Sequence, residues 1–195
     1  MTRAEFNNLC SRYTKLIDFL NQRSTNQVKK LLKSFYCEKN LDLQDFLYNK
    51  AITFDRNLRS RTYLYIHNEN KDIVGYFTLA INYLQTDDLT ENIIKILDGY
   101  TDKIKAIPCY LIGQLAVSDK YRDNKIGKFL LDDALQITNN TQTNFGGRFV
   151  LIDSVNNDKV INFYRENSFV EIEKDKKLKS IKMIKPYFEH SGFEV

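Results

Sequence analysis

The chain has 195 residues, 29 lysines and arginines against 25 acids, and 43% hydrophobic content with 13% aromatics, enough apolar material for the core of one domain of ordinary size. No apolar run approaches the ~20 residues of a membrane helix, and the opening MTRAEFNNLCSRYTKL carries no secretory h-region. Cys10, Cys37 and Cys109 are odd in number and widely spaced, and His67 and His190 lie far apart, so metal-site and Ser-His-Asp readings find no pattern, and reduced thiols in a cytoplasmic protein are expected.

In chain order, Phe6, Leu9, Tyr13, Leu16, Ile17 and Leu20 recur at helical spacing and predict a helix over 5–21. A second helix is predicted over 26–37 through Val28, Leu31, Leu32 and Phe35, and a third over 43–58 through Phe46, Leu47, Ile52 and Phe54. Strands over 62–67 and 73–84 flank the polar turn HNENKD, which has hairpin chemistry. A helix over 88–100 presents Ile93, Ile94 and Leu97 on one face and ends near Gly99. Gly146-Gly147 opens a strand over 148–155. Strands over 169–173 and 180–184 close the chain around the polar link KDKKLK. Nothing in the sequence repeats, and no Pro/Gly-rich linker divides it, so residues 1–195 are expected to form one domain with residues 1–25 as a helical extension. That extension is expected to pack across the domain or at a homodimer interface.

The chemistry concentrates in two segments. LIGQLAVSDKYRDNKIGKFLL, residues 111–131, begins with a run apolar almost throughout, as in a central strand covered on both faces. Ser118-Asp119 ends the run. Beyond Arg122, residues Ile126, Phe129, Leu130 and Ala134 follow at helical spacing. The amides of Asn124, Lys125, Ile126, Gly127 and Lys128 would stand at a helix start. There unbonded N–H groups and the helix dipole favour a phosphate. Gly127 lets an anion approach the backbone, and Arg122, Lys125 and Lys128 add charge. The second segment, IDSVNNDKVINFYRENSF over 152–169, is a strand running into a helix that carries Phe163-Tyr164. Asn157 and Tyr164 are seven residues apart and would share nearly one helix face.

Together the two segments resemble the GNAT superfamily of acetyl-CoA-dependent N-acetyltransferases. The family's phosphate turn reads Arg/Gln-x-x-Gly-x-Gly/Ala. Arg122 and Gly127 match it, and Lys125 stands where the first glycine is usual. In many members a strand is followed by Asn-x-x-Ala-x-x-Phe/Leu-Tyr, matched here by Asn157, Val160, Phe163 and Tyr164. The resemblance implies a mixed α/β fold with a mostly antiparallel sheet splayed at an acetyl-CoA cleft and flanked by helices. It implies that the turn grips the coenzyme A pyrophosphate and that Asn157 meets the pantetheine arm. The backbone of Leu115, Ala116 and Val117 would hold pantetheine and the thioester oxygen. Tyr164 would act as general acid on the departing thiolate, and a phenol with a reference pKa of ~10 keeps its proton for that task at neutral pH. The acetyl group would pass directly to a primary amine. Asp153, Glu91 or a water relay could take up the amine's proton.

The acceptor is open between small amines, peptide N-termini and protein lysines. The two segments are especially similar to GNAT toxins of bacterial toxin–antitoxin pairs, which acetylate aminoacyl-tRNA. Those often have Gly-Arg-Leu-Ala-Val where this chain has Gly113-Gln114-Leu115-Ala116-Val117. That similarity implies tRNA as a partner. The net charge of +4 is compatible with RNA. The basic tail Lys174, Lys176, Lys177, Lys179, Lys182 and Lys185 is diluted by Glu171, Glu173 and Asp175 and reads as a solvated strand and loop. A catalytically silent acyl-CoA-binding or partner-binding module is the alternative of a different class.

Overall fold

The computed structural model describes residues 1–122, 124–172 and 179–188. In order these form α1 (Arg3–Leu9), β1 (Thr14–Lys15), α2 (Leu16–Gln22), α3 (Thr25–Leu32) and α4 (Leu41–Asp45). A π-helical turn, Phe46–Lys50, leads into α5 (Ala51–Arg56). Then follow β2 (Arg61–Ile66), β3 (Ile73–Gln85), α6 (Glu91–Asp98) and β4 (Ala106–Val117). After a 3₁₀ turn at Asp119–Tyr121 come α7 (Ile126–Phe145), β5 (Phe149–Val155), α8 (Asp158–Glu166), β6 (Val170–Glu171) and β7 (Ser180–Pro186). The fold is mixed α/β, with a seven-stranded, mostly antiparallel sheet in the order β1-β2-β3-β4-β5-β7-β6. No helix among the described residues is long and apolar enough to cross a membrane.

The chain forms two compact units. One comprises Met1–Ala80 with Gly113–Leu135, the other Ile81–Ile112 with Gln136–Val195. In the first unit β2 pairs antiparallel with β3, from Arg61↔Leu79 to Ile66↔Ile73. Helices α2 to α5 cover one face of these strands. Leu16, Val28, Leu32, Leu47 and Ala51 join Leu64, Tyr76 and Ala116 in a core with almost no solvent contact. Two helices of this unit start on capping boxes, Thr2 with Glu5 and Ser24 with Gln27. In the second unit β5 runs parallel to β4 from Tyr110↔Val150 to Ile112↔Ile152 and antiparallel to β7 from Phe149↔Pro186 to Val155↔Ser180. Leu84, Leu97, Ile107, Phe149 and Ile184 centre its core. Thr90 caps α6, and Gly99 ends it in the left-handed conformation at φ 81°.

The predicted helix over 5–21 is two helices. Cys10 bridges to His67, and Thr14 and Lys15 pair with Leu64 and Tyr63. The Tyr13 ring lies edge-on to Tyr63 at 5.1 Å between centroids. Strand pairing and ring packing in the sheet win over the helical period. The N-terminal segment is built into its unit: Phe6 is buried and stacked on Phe129, and Arg3 bonds Asp133 at 3.0 Å. Helix α3 ends at Leu32, short of the expected Cys37, yet Phe35 is fully buried in the chain that follows. Helix α6 starts at Glu91 rather than Asp88, because Thr90 supplies its cap. Glu173, most of the KDKKLK link and His190 lie outside the described residues.

Candidate active site

The first unit holds the strand end, the turn and the start of α7. Ser118 donates its amide to the Val74 carbonyl at 2.9 Å, so Ser118 and Ala116 turn their backbone groups toward β3. By alternation, Leu115 and Val117 turn theirs away from β3. Of the three residues expected to offer backbone, Ala116 is therefore engaged in the sheet. Its side chain is buried, whereas Leu115 and Val117 are half-buried. The strand is thus covered less evenly than a continuous apolar run suggests. Gly75 explains how closely β3 approaches: a Cβ there would lie 2.8 Å from both the Ala116 oxygen and Leu130 Cδ2.

The turn after β4 has a conformation that accounts for the family's glycine. Lys125 takes φ 59°, in the left-handed region, at roughly 1–2 kcal/mol for an L-residue. Lys125 thus takes a backbone conformation that favours glycine, at the position where the family's pattern has one. Asn124, Lys125 and Lys128 are exposed, Gly127 is half-buried and Ile126 is buried. The first turn of a helix leaves amides without intrahelical partners, and Asn124 to Gly127 head the 20-residue α7. Lys128 differs from expectation: its amide donates to the Lys125 carbonyl at 3.1 Å, and its ammonium lies 3.4 Å from Asp132.

Arg122 is held more firmly than its sequence context suggests. Its Nε forms an ion pair with Asp119 Oδ1, and its Nη2 donates to Cys37 Sγ at 3.3 Å. The Asp119 amide donates to the Tyr36 carbonyl at 2.9 Å, and the Glu38 amide donates to Asp119 Oδ2 at 2.8 Å. Asp119 therefore ties the segment after α3 to the turn, a role missed in the sequence although its signal, an acid three residues before Arg122, was present. The neighbouring Tyr121 hydroxyl and Lys120 ammonium bind Asp72 at 2.8 and 2.6 Å. These contacts more than offset the burial that pushes the Asp72 carboxyl up and leave its pKa below the usual value. The residues present fit a pyrophosphate through helix amides, the Lys125 turn and two exposed lysines, with Arg122 bracing the turn.

The second unit holds Asn157 and Tyr164. Asn157 is the N-cap of α8: its backbone is extended, φ −138° and ψ 125°, and its side-chain oxygen accepts the Lys159 amide at 3.0 Å. It thus precedes the helix instead of sharing a helical face with Tyr164. Tyr164 is buried, with its ring centroid 5.1 Å from Phe163 and 5.5 Å from Phe169. This burial pushes its phenol up to about 12, so it stays protonated across the neutral range. Among the carboxylates, Asp153 is exposed opposite Lys182 in the β5–β7 register, and Glu91 is exposed in the first turn of α6. Of the basic tail, Lys174, Lys176 and Lys177 lie outside the described residues. Lys179 is exposed, and Lys185 donates to the Asn167 carbonyl at 2.8 Å. All three cysteines are free and buried.

The Acetyltransferase (GNAT) family matches the chain over residues 25–169. Solved structures share its fold at low identity. AtaT complexed with acetyl-methionyl-tRNAfMet aligns with a TM-score of 0.64 and 20% identity, over 80% of this chain and 86% of that one. A Tyr-to-Phe mutant of the AtaT toxin, bound to the C-terminus of the antitoxin AtaR and acetyl-CoA, aligns at 0.62 and 19% over 80% and 84%. A Tyr-to-Phe mutant of KacT aligns at 0.68 and 15% over 90% and 95%.

Proposed function

Because the chain belongs to the Acetyltransferase (GNAT) family, whose pattern spans residues 25–169, we propose that it transfers the acetyl group of acetyl-CoA directly to a primary amine. The observation that carries this reading is Lys125 at φ 59°, a left-handed backbone that glycine adopts most readily, at the position where the family's pattern has its first glycine. Helix amides, Lys125 and Lys128 would hold the pyrophosphate. Leu115 and Val117, whose backbone faces away from β3, would pair with the pantetheine amides, and Asn157 would meet the same arm. Acetyl-CoA supplies the activated acyl group. As the amine nitrogen bonds to the carbonyl carbon and the C–S bond breaks, the amine gives its surplus proton to water. Tyr164 gives its own to the sulfur and is reprotonated by solvent. A phenol near 12 is a weak acid toward a thiol of ~8.5. A low-dielectric site lifts the thiol as well, so the match between the two groups governs the transfer.

A second reading names the acceptor as the amino group of an aminoacyl-tRNA. It is favoured by the fold shared with AtaT, which has been captured with acetyl-methionyl-tRNAfMet. Thiol release from acetyl-CoA, measured with small amines, peptides, lysine-containing proteins and charged tRNA in parallel, tests both readings. Tyr164→Phe keeps the ring and should bind acetyl-CoA like the parent while turning over ~10²–10⁴-fold more slowly. Full turnover by that variant removes Tyr164 from the chemistry. Tight acetyl-CoA binding with no acetylated product from any acceptor class identifies a silent acyl-CoA-binding module instead.

A further inference from the structure

From Phe19 to Cys37 the chain carries Arg23, Lys29, Lys30 and Lys33 and no acid. Helix α3 buries Val28 and Leu32. It leaves Asn26, Gln27, Lys29, Lys30 and, just past its end, Lys33 exposed. Elsewhere in the same unit Arg3, Lys50, Arg61, Lys120, Arg122 and Lys128 each pair with a carboxylate. Among the described residues Lys29, Lys30 and Lys33 pair with none. Arg56 from α5 donates to Thr25 Oγ1 at 2.7 Å and adds a cation at the head of the same helix. Tyr36 stands 50% exposed between Lys33 and Lys39. Its carbonyl accepts the Asp119 amide at 2.9 Å, which fixes the backbone that carries the ring. Glu38 is the one acid in that stretch, and its amide is tied to Asp119.

We infer that the exposed face of α3, through Lys29, Lys30, Lys33 and Tyr36, is a docking surface for the phosphodiester backbone of an RNA acceptor. This rests on the aminoacyl-tRNA reading above. Unmatched cations in a row recruit phosphates by releasing their counterions. An exposed aromatic among them offers a face on which an unpaired base can stack. An acidic protein would use the charges and leave the ring without that role.

The test is fluorescence anisotropy of the full chain with a labelled, deacylated tRNA transcript across a salt series. The variants are Lys29→Glu/Lys30→Glu/Lys33→Glu and, separately, Tyr36→Ala. Thermal melting and acetyl-CoA affinity, both expected to match the parent, show that the fold is kept. The triple variant should bind at least about tenfold more weakly near 0.1 M salt, with the slope of log affinity against log salt shallower by about 2–3. Tyr36→Ala should weaken binding with the slope unchanged. Unchanged tRNA affinity in the triple variant overturns the proposal. So does displacement of tRNA by polyglutamate at equal charge concentration, which marks a site for acidic protein. If both proteins acetylate charged tRNA equally, the surface is wrong and the acceptor reading stands. If the lysines carry tRNA binding but no charged tRNA is acetylated, the surface stands and the acceptor reading falls.

Discussion

Replacing Lys125 by glycine and, in parallel, by alanine separates the shape of the turn from its charge, because both variants lose the ammonium. At φ 59° a Cβ costs roughly 1–2 kcal/mol. Glycine avoids that cost but gives the unfolded chain extra freedom of about 0.4–1 kcal/mol. The balance favours Lys125→Gly over Lys125→Ala by about 0.5–1 kcal/mol. In a domain of this length, 1 kcal/mol moves Tm by about 2–4 °C, so the glycine variant should melt roughly 1–4 °C above the alanine variant. A right-handed residue would reverse the order, since glycine is then the worse choice by roughly 0.5–1 kcal/mol. Paired thermal and urea melts read the sign directly. Calorimetry with acetyl-CoA completes the experiment: both variants should lose affinity by a similar amount that shrinks as salt rises. An alanine variant as stable as the glycine one, or more so, refutes the left-handed turn and with it the account of how a lysine replaces glycine.

Three further outcomes follow from the packing. Gly75→Ala forces a Cβ to within 2.8 Å of the Ala116 carbonyl oxygen and Leu130 Cδ2. Backbone cannot yield as a side chain tip does, so urea denaturation should show a loss of about 1–3 kcal/mol. The Asp72 carboxyl titrates below its usual value because Lys120 and Tyr121 outweigh its burial. Its contribution is therefore present above the unfolded pKa of ~3.9 and lost as pH falls through the lower folded value. Asp72→Asn should accordingly lose stability at neutral pH and show a flatter fall in Tm below about pH 4; a fall as steep as the parent's would show that the contact carries no linkage. Burial pushes the Cys10 and Cys109 thiols up to about 12, so the thiolate is scarce at pH 8. A short iodoacetamide pulse should leave both unmodified in the native protein and label both in denaturant. Native-state labelling of either would contradict its burial.

Much of the site could be read along the chain because its elements are long and their signals local. The apolar run ending at Val117 and the stripe from Ile126 to Ala134 identified β4 and α7. Asn157 followed by Asp158 is itself a helix-start pattern, which its placement seven residues before Tyr164 obscured. Where a signal depended on partners far away in sequence, the reading went astray. The helix expected over 5–21 breaks because Thr14 and Lys15 find backbone partners some 50 residues later, at Leu64 and Tyr63. Arg122 pairs with the nearby Asp119, but its second contact, to Cys37, comes from 85 residues away.

The residues alone determined that a strand leads through a basic turn into an amphipathic helix, and that a second strand leads through Asn157 into a helix bearing Tyr164. Periodicity, capping and composition act over a few residues, so they are written wherever those residues stand. Tertiary structure alone decided that Lys125 adopts the left-handed backbone, that Ala116 spends its backbone on β3 while Leu115 and Val117 do not, and that Asp119 holds Arg122. It also decided the acidity of Tyr164, because a phenol rises to about 12 only when Phe163, Phe169 and the surrounding core have displaced its water. Each of these is set by the packed fold, whether the groups that meet are close in sequence, as Asp119 and Arg122 are, or far apart, as Ala116 and β3 are.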